Sequence, residues 1–168
     1  MYDFVFILGA QGAGKTTIAR LLKEKLHAPH VDFDWIRGIH LNKDWTNTND
    51  AEEEMSLENL VFLLKNYAKH GYKNVIVSGF TEENIEKILS ELKDYKNIAI
   101  TLYLTDDEIP KQRVLTESRD SGFRDFAQSI TFNKRLREEL QYPNEKKIDN
   151  TNQTPEETAN QIVSILAG

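Results

Sequence analysis

Phe4-Val5-Phe6-Ile7-Leu8-Gly9-Ala10-Gln11-Gly12-Ala13-Gly14-Lys15-Thr16 carries an unbroken apolar run straight into the pattern G-x-x-x-x-G-K-[ST], matched at every fixed position from Gly9 to Thr16. Beyond it, Ile18, Leu21, Leu22 and Leu26 recur at helical spacing. Strand, glycine-rich loop and helix therefore follow in the order that a phosphate-binding loop needs. Glycines at 9, 12 and 14 let the backbone turn tightly and bring its N–H groups close to phosphate oxygens, where a Cβ would intrude. Within Gly9, Ala10, Gln11, Gly12, Ala13, Gly14, Lys15, Thr16 and Thr17, the lysine would reach the β- and γ-phosphates as a point charge. The Thr16 hydroxyl would ligate Mg²⁺, and the helix start would add its positive dipole end.

The chain has 168 residues, the usual size of one domain, and 39% of them are hydrophobic, enough for a sizeable core. No stretch approaches the ~18 apolar residues of a membrane span. No basic-plus-apolar leader precedes the first strand, and there are no cysteines, which excludes disulfides and thiolate metal sites. The reading is a cytoplasmic protein, monomer or dimer, with no membrane partner. A net charge of −6 argues against a nucleic-acid partner, since binding a phosphate backbone calls for a basic face. The arginines are unevenly placed: Arg113, Arg119, Arg124, Arg135 and Arg137 fall in one short region. Arg135 and Arg137 adjoin Glu138 and Glu139 and read as a solvated helix face. Arg119 and Arg124 flank Asp120-Ser121-Gly122 and suit the clamping of a transferring phosphoryl group.

Apolar patterning predicts strands at 2–8, 29–33, 73–78, 97–104 and 146–149. It predicts helices at 15–26, about 53–70, 82–94, 106–119, 127–141 and 155–166. Thr105 with Glu108, and Thr154 with Glu157 ahead of Pro155, are capping-box pairs. Continuous apolar strands such as Val75-Ile76-Val77 fit a parallel sheet covered by helices on both faces, an α/β fold in three layers. Nothing divides the chain, so residues 1–168 read as a single domain. Residues 35–55, with Trp35, His40, Trp45, Asn47 and Asn49, lack periodicity and read as an acceptor-side segment. The four histidines show no metal-ligand spacing.

A second constellation, Val31-Asp32-Phe33-Asp34-Trp35-Ile36-Arg37, ends the second strand. Ligands of open α/β sheets bind beyond the carboxyl ends of the strands, which puts these acids and Arg37 at the edge that holds the phosphate loop. Alternation along an extended strand would point Asp32 and Asp34 to one side. One could hold Mg²⁺ through water while the other, preferably Asp34, accepts a proton from an attacking hydroxyl. The same pair could instead cap the next helix.

The loop, the Asp-x-Asp-x-x-Ile after strand two, the arginine-rich region and Ile148-Asp149-Asn150-Thr151-Asn152 before a Pro-Glu-Glu helix together resemble the P-loop kinases of small molecules and nucleotides. Shikimate, gluconate and adenylate kinases and chloramphenicol phosphotransferase are the points of comparison. The resemblance implies a P-loop NTPase fold with a five-stranded parallel sheet in the order 2-3-1-4-5 and a helical lid, here about 116–128. It implies an ATP- and Mg²⁺-dependent transfer of the γ-phosphoryl group to a small-molecule hydroxyl or phosphate acceptor. Lys15, Asp34, Arg119 and Arg124 would be catalytic, Thr16, Asp32 and Asp34 would serve the metal, and Asp34 and Arg37 would face the acceptor. Arg113 would stack on adenine, with Asn150 and Asn152 in the loop flanking it. The third strand departs from the pattern: many P-loop proteins end it with a metal-linked Asp, whereas this chain reads Val77-Ser78-Gly79-Phe80. A zeta-toxin-like sugar-nucleotide kinase, suggested by Asp32, Asp34 and Arg37, shares the mechanism and differs in acceptor. A P-loop regulator with slow ATP hydrolysis is the reading from another class; the GTPase motifs Asp-x-x-Gly and Asn-Lys-x-Asp do not occur.

Overall fold

Alternation along the first strand decides the layering. In β1 (Phe4–Gly9), Phe4, Phe6 and Leu8 point into one core and Val5 and Ile7 into the other, and all five are buried. The first core is closed by α3 (Asp50–Lys69), α4 (Glu82–Glu91) and α5 (Phe126–Glu138), through residues such as Leu60, Ile88 and Leu136. The second is closed by α1 (Lys15–Leu26) and α6 (Pro155–Ala167), through Ile18, Leu22, Ala159 and Ile162. Each large side chain so enclosed contributes about 1.5–3 kcal/mol of transfer free energy. The computed structural model describes residues 1–106, 126–139 and 141–168. Arg113, Arg119, Arg124, Glu108, most of the helix expected at 106–119 and most of the lid region 116–128 lie outside these residues.

The remaining strands are β2 (His30–Asp32), β3 (Val75–Ser78), β4 (Asn97–Tyr103) and β5 (Glu145–Asp149). They form one parallel sheet in the order β2-β3-β1-β4-β5, as the resemblance implies. All five carboxyl ends therefore share one edge, where the loop after β1 meets the connections after β2, β3 and β5. The Thr154 capping box forms as expected: Glu157 N donates to Thr154 Oγ1 at 3.2 Å and Thr154 N to Glu157 Oε2 at 2.8 Å, with Pro155 opening the helix.

One local expectation is corrected. The second strand stops at Asp32, and Phe33–Arg37 form a short helix, α2. Strand alternation therefore does not relate Asp32 to Asp34. Asp32 is instead the N-cap of α2, its Oδ1 accepting from Asp34 N at 3.0 Å, which is the capping alternative left open by the sequence.

Candidate active site

The loop after β1 closes onto the start of α1 through Gly14, whose φ of 90° at the N-cap is a left-handed conformation that side-chain-bearing residues avoid. Lys15 Nζ folds back and donates to the carbonyls of Gly9 at 2.7 Å and Ala10 at 3.1 Å, spanning the loop. Thr16 and Thr17 are exposed at the helix start. The arrangement presents an ammonium, a hydroxyl and backbone donors at one concave turn, as phosphate recognition demands.

Two distant elements brace this loop. Asn150, buried after β5, donates through Nδ2 to Ala13 O at 2.8 Å, and Ser129 of α5 donates through Oγ to Gln11 O. Beside the loop, Gly14, Thr17, Ile18, Asn150, Gln153 and Thr158 line a cavity of about 210 Å³. The cavity lies where the resemblance puts the adenine-flanking loop. Asn150 lines it, whereas Asn152 is exposed and Gln153 takes the lining position. Sequence reasoning missed Ser129, because a serine within a helix carries no signal for a loop 118 residues away.

At the end of β2 the acids diverge in character. Asp32 is 5% exposed and both of its oxygens are engaged, Oδ1 by Asp34 N and Oδ2 by the Ser78 hydroxyl at 2.7 Å. Asp34 is open to solvent but recessed among protein atoms. That partial dehydration, followed by repulsion from Asp32, raises its pKa from 3.8 to about 6, against the opposing pull of Lys15 and Arg37. A reachable carboxylate under these influences, within reach of the charge of the loop lysine, suits a proton acceptor or an ion partner. The donors of Thr16, Asp32 and Asp34 are hard oxygens, and the crowding of negative charge between the two acids would be relieved by a cation. This fits Mg²⁺, which takes one or two carboxylates and completes its shell with phosphate and water. Among the described residues no three acidic or histidine side chains gather as a metal cage.

Arg37 is placed differently from its expected role. It is 8% exposed, and its Nε and Nη2 donate to Glu52 Oε1 and Oε2 at 3.1 and 2.6 Å, while the guanidinium lies 5.2 Å from the Trp45 ring centroid. Glu52 also meets His40 Nε2 at 2.9 Å and accepts from Ser56 Oγ at 2.9 Å. The Arg37 hydrogen bonds, more than any other influence, lower its pKa to about 2. Arg37 therefore joins α2 to α3. The aperiodic stretch between them is ordered by side chains: Asn42 Nδ2 donates to Thr46 Oγ1 at 2.6 Å, Thr46 N to Asn42 Oδ1 at 2.9 Å, and Asn49 caps α3. Trp35 stays 53% exposed, edge-on to His30 at 4.9 Å.

A family model described as AAA domain (AAA_18) matches residues 5–123, and the chain belongs to that family. A shikimate kinase of Enterococcus faecalis is 29% identical over 177 residues, covering 98% of each chain. An adenylate kinase of Ruminiclostridium cellulolyticum is 29% identical over 121 residues, covering 64% of this chain and 56% of that one. The unliganded crystal structure of a sugar kinase from Janibacter sp. HTCC2649 superposes with a TM-score of 0.69 at 20% identity, covering 99% of this chain and 95% of that one. Fold and relatives together define a P-loop kinase. Its relatives are named for different acceptors, so the acceptor of this chain is unspecified. No described helix is long and apolar enough to cross a membrane.

Proposed function

We propose that residues 1–168 form a single ATP-dependent phosphotransferase domain that moves the γ-phosphoryl group to a small-molecule hydroxyl or phosphate. The observation that carries this reading is an accessible Asp34 at the carboxyl edge of the sheet that also holds the phosphate loop, near enough for the charge of Lys15 to act on it. The loop Gly9 to Thr17 holds the triphosphate, and Lys15 leaves its carbonyl partners for the β- and γ-phosphates. Asn150 and Gln153 flank the base. Asp34 orients the acceptor or takes its proton. Catalysis is then mostly positioning and charge neutralisation.

Mg²⁺ would be held by Thr16 Oγ1 and Asp34, with Asp32 acting through water, and when bound would neutralise charge on the β- and γ-phosphates. Arg119 and Arg124 of the lid 116–128 would approach the phosphoryl group, and Arg113 the adenine. Arg37 supports the acceptor side by fixing α2 on Glu52 rather than by offering a free cation. An ATP-consumption screen across nucleosides, nucleotides, sugars, sugar acids and amino-alcohols tests the reading. One class should raise ADP release well above the water background and yield a phosphorylated product, and this should be lost in Lys15→Ala. ADP release that no acceptor stimulates would sink it.

A further inference from the structure

Two side chains that the active-site reading leaves without a role, His30 and Ser78, join Asp32 in one hydrogen-bonded line into it. His30 and Asp32 lie two residues apart on β2 and so face the same side of the sheet. Asp32 is the register partner of Ser78 on parallel β3, which places the Ser78 hydroxyl between them. Ser78 is wholly buried. Its Oγ lies 2.7 Å from Asp32 Oδ2 and 2.9 Å from His30 Nε2. An ionised carboxylate only accepts, so the hydroxyl donates to Asp32 and its oxygen accepts from His30 Nε2–H. Asp32 Oδ1 is filled in turn by Asp34 N at 3.0 Å. The line runs His30, Ser78, Asp32, Asp34 backbone, each donor spent on one acceptor. Burial, more than any other influence, lowers the His30 pKa, and an imidazole carrying its proton on Nε2 satisfies this pattern.

The next residue shows how closely the carboxylate is fitted. A Cβ on Gly79, at φ 91°, would stand 2.3 Å from Asp32 Oδ1 and 2.9 Å from Phe33 N. The space where a side chain at position 79 would begin is filled by the acid of strand two. The absence of an acid from the Ser78-Gly79 strand end thus has a steric counterpart: strand two delivers the carboxylate and strand three delivers its clamp.

We propose that Ser78 is a positioning residue for phosphoryl transfer, holding Asp32 so that the first turn of α2 presents Asp34 to the cleft. The proposal rests on the kinase reading only for its kinetic consequence. Without the hydroxyl, Asp32 loses a charge-assisted bond and is free to rotate, and the cap on Asp34 N slackens. A displacement of about 1 Å at a reacting group is enough to cost up to about a hundredfold in rate.

The test compares wild type, Ser78→Ala and the hydroxyl-keeping Ser78→Thr by three measurements: MgATP affinity, single-turnover ATP cleavage with water as acceptor, and the Trp35 indole N–H resonance, assigned with Trp45→Phe. Ser78→Ala should keep MgATP affinity within about twofold, slow turnover roughly tenfold or more, and shift or broaden the Trp35 signal, because Trp35 follows Asp34 on α2; Ser78→Thr should restore both. An unmoved Trp35 signal, unchanged turnover in Ser78→Ala, or parallel loss of affinity and turnover would overturn the proposal. Failure of the kinase reading looks different, since no acceptor would then raise ADP release in wild type, and the Trp35 resonance would still decide whether Ser78 holds α2.

Discussion

Asn150 Nδ2 and the carbonyl of Ala13 are joined at 2.8 Å, a bond that ties the end of the last strand to the phosphate loop formed by the first. The side-chain orientation is fixed by this contact, because a flipped amide would set oxygen against oxygen. Asn150 Oδ1 is thereby left buried without a hydrogen-bond partner among the described residues. Asn150→Ala removes this side-chain link between the loop and the end of β5, and should cost about 1–3 kcal/mol of stability and weaken nucleotide binding. Chemical denaturation alongside nucleotide titration checks it; a variant equal to wild type in both would show that the loop holds its shape unaided.

The buried pair of Arg37 and Glu52 makes a prediction about acid stability. Glu52 is lowered from 4.5 to about 2 in the native state, by Arg37 first, with His40 and Ser56 also bonded to it. Its contribution is fully present above the unfolded value and is lost as pH falls from about 4.5 toward 2. Glu52→Ala should flatten that part of the stability curve and, by leaving Arg37 buried and unpaired, cost about 3–5 kcal/mol near neutrality. Arg37→Met combined with Glu52→Leu should recover much of the loss, because both charges then leave the interior together. A double variant no better than Glu52→Ala would contradict this account.

What the sequence disclosed and what it concealed divide by the range of the interaction. The phosphate loop was legible because its strand, glycines, lysine and helix are contiguous, and the sheet's parallel character was legible from unbroken runs such as Val75-Ile76-Val77. The helix α2 was not, since five residues are too few for a helical period to emerge. Ser78 and Glu52 were invisible as site residues for another reason. One acts on an acid 46 positions away, and the other hides in an acidic run that reads as solvated surface. The order within 42–49 likewise comes from asparagine side chains bonding backbone, which leaves no periodicity to read.

Lys15→Ala should abolish turnover and weaken nucleotide binding by roughly tenfold or more, the scale of losing charge-assisted bonds to phosphate. The fold should persist, because Lys15 contributes no buried apolar surface to either core. Calorimetric titration with ATP and a thermal melt on the same sample separate the two effects. Wild-type affinity and turnover in this variant would remove the loop from the mechanism.

If Arg119 and Arg124 close on the phosphates, the stretch 116–128 should gain amide protection when an ATP analogue binds. Asp120-Ser121-Gly122 between the two arginines motivates the expectation, since a glycine turn can act as a hinge. Hydrogen exchange with and without the analogue measures it. Equal protection in both states counts against a closing lid.

Asp34 carries the most consequential prediction. Its native pKa of about 6 exceeds the ordinary 3.8, through partial dehydration and then the charge of Asp32. Between those values the native state holds more protons than the unfolded one. Metal-free stability should therefore fall as pH rises through roughly 4 to 6, opposite in sign to the Glu52 effect at lower pH. In Asp34→Asn that decline should vanish, with stability above pH 6 equal to or greater than wild type. The same variant should keep ATP affinity while phosphoryl transfer drops by about two or more orders of magnitude, the scale of a lost general base. Stability gained and catalysis lost in one substitution is the signature of a group strained for its task, and a helix-capping acid would show neither. Normal turnover in Asp34→Asn would return this residue to a structural role and leave the acceptor's proton to another group.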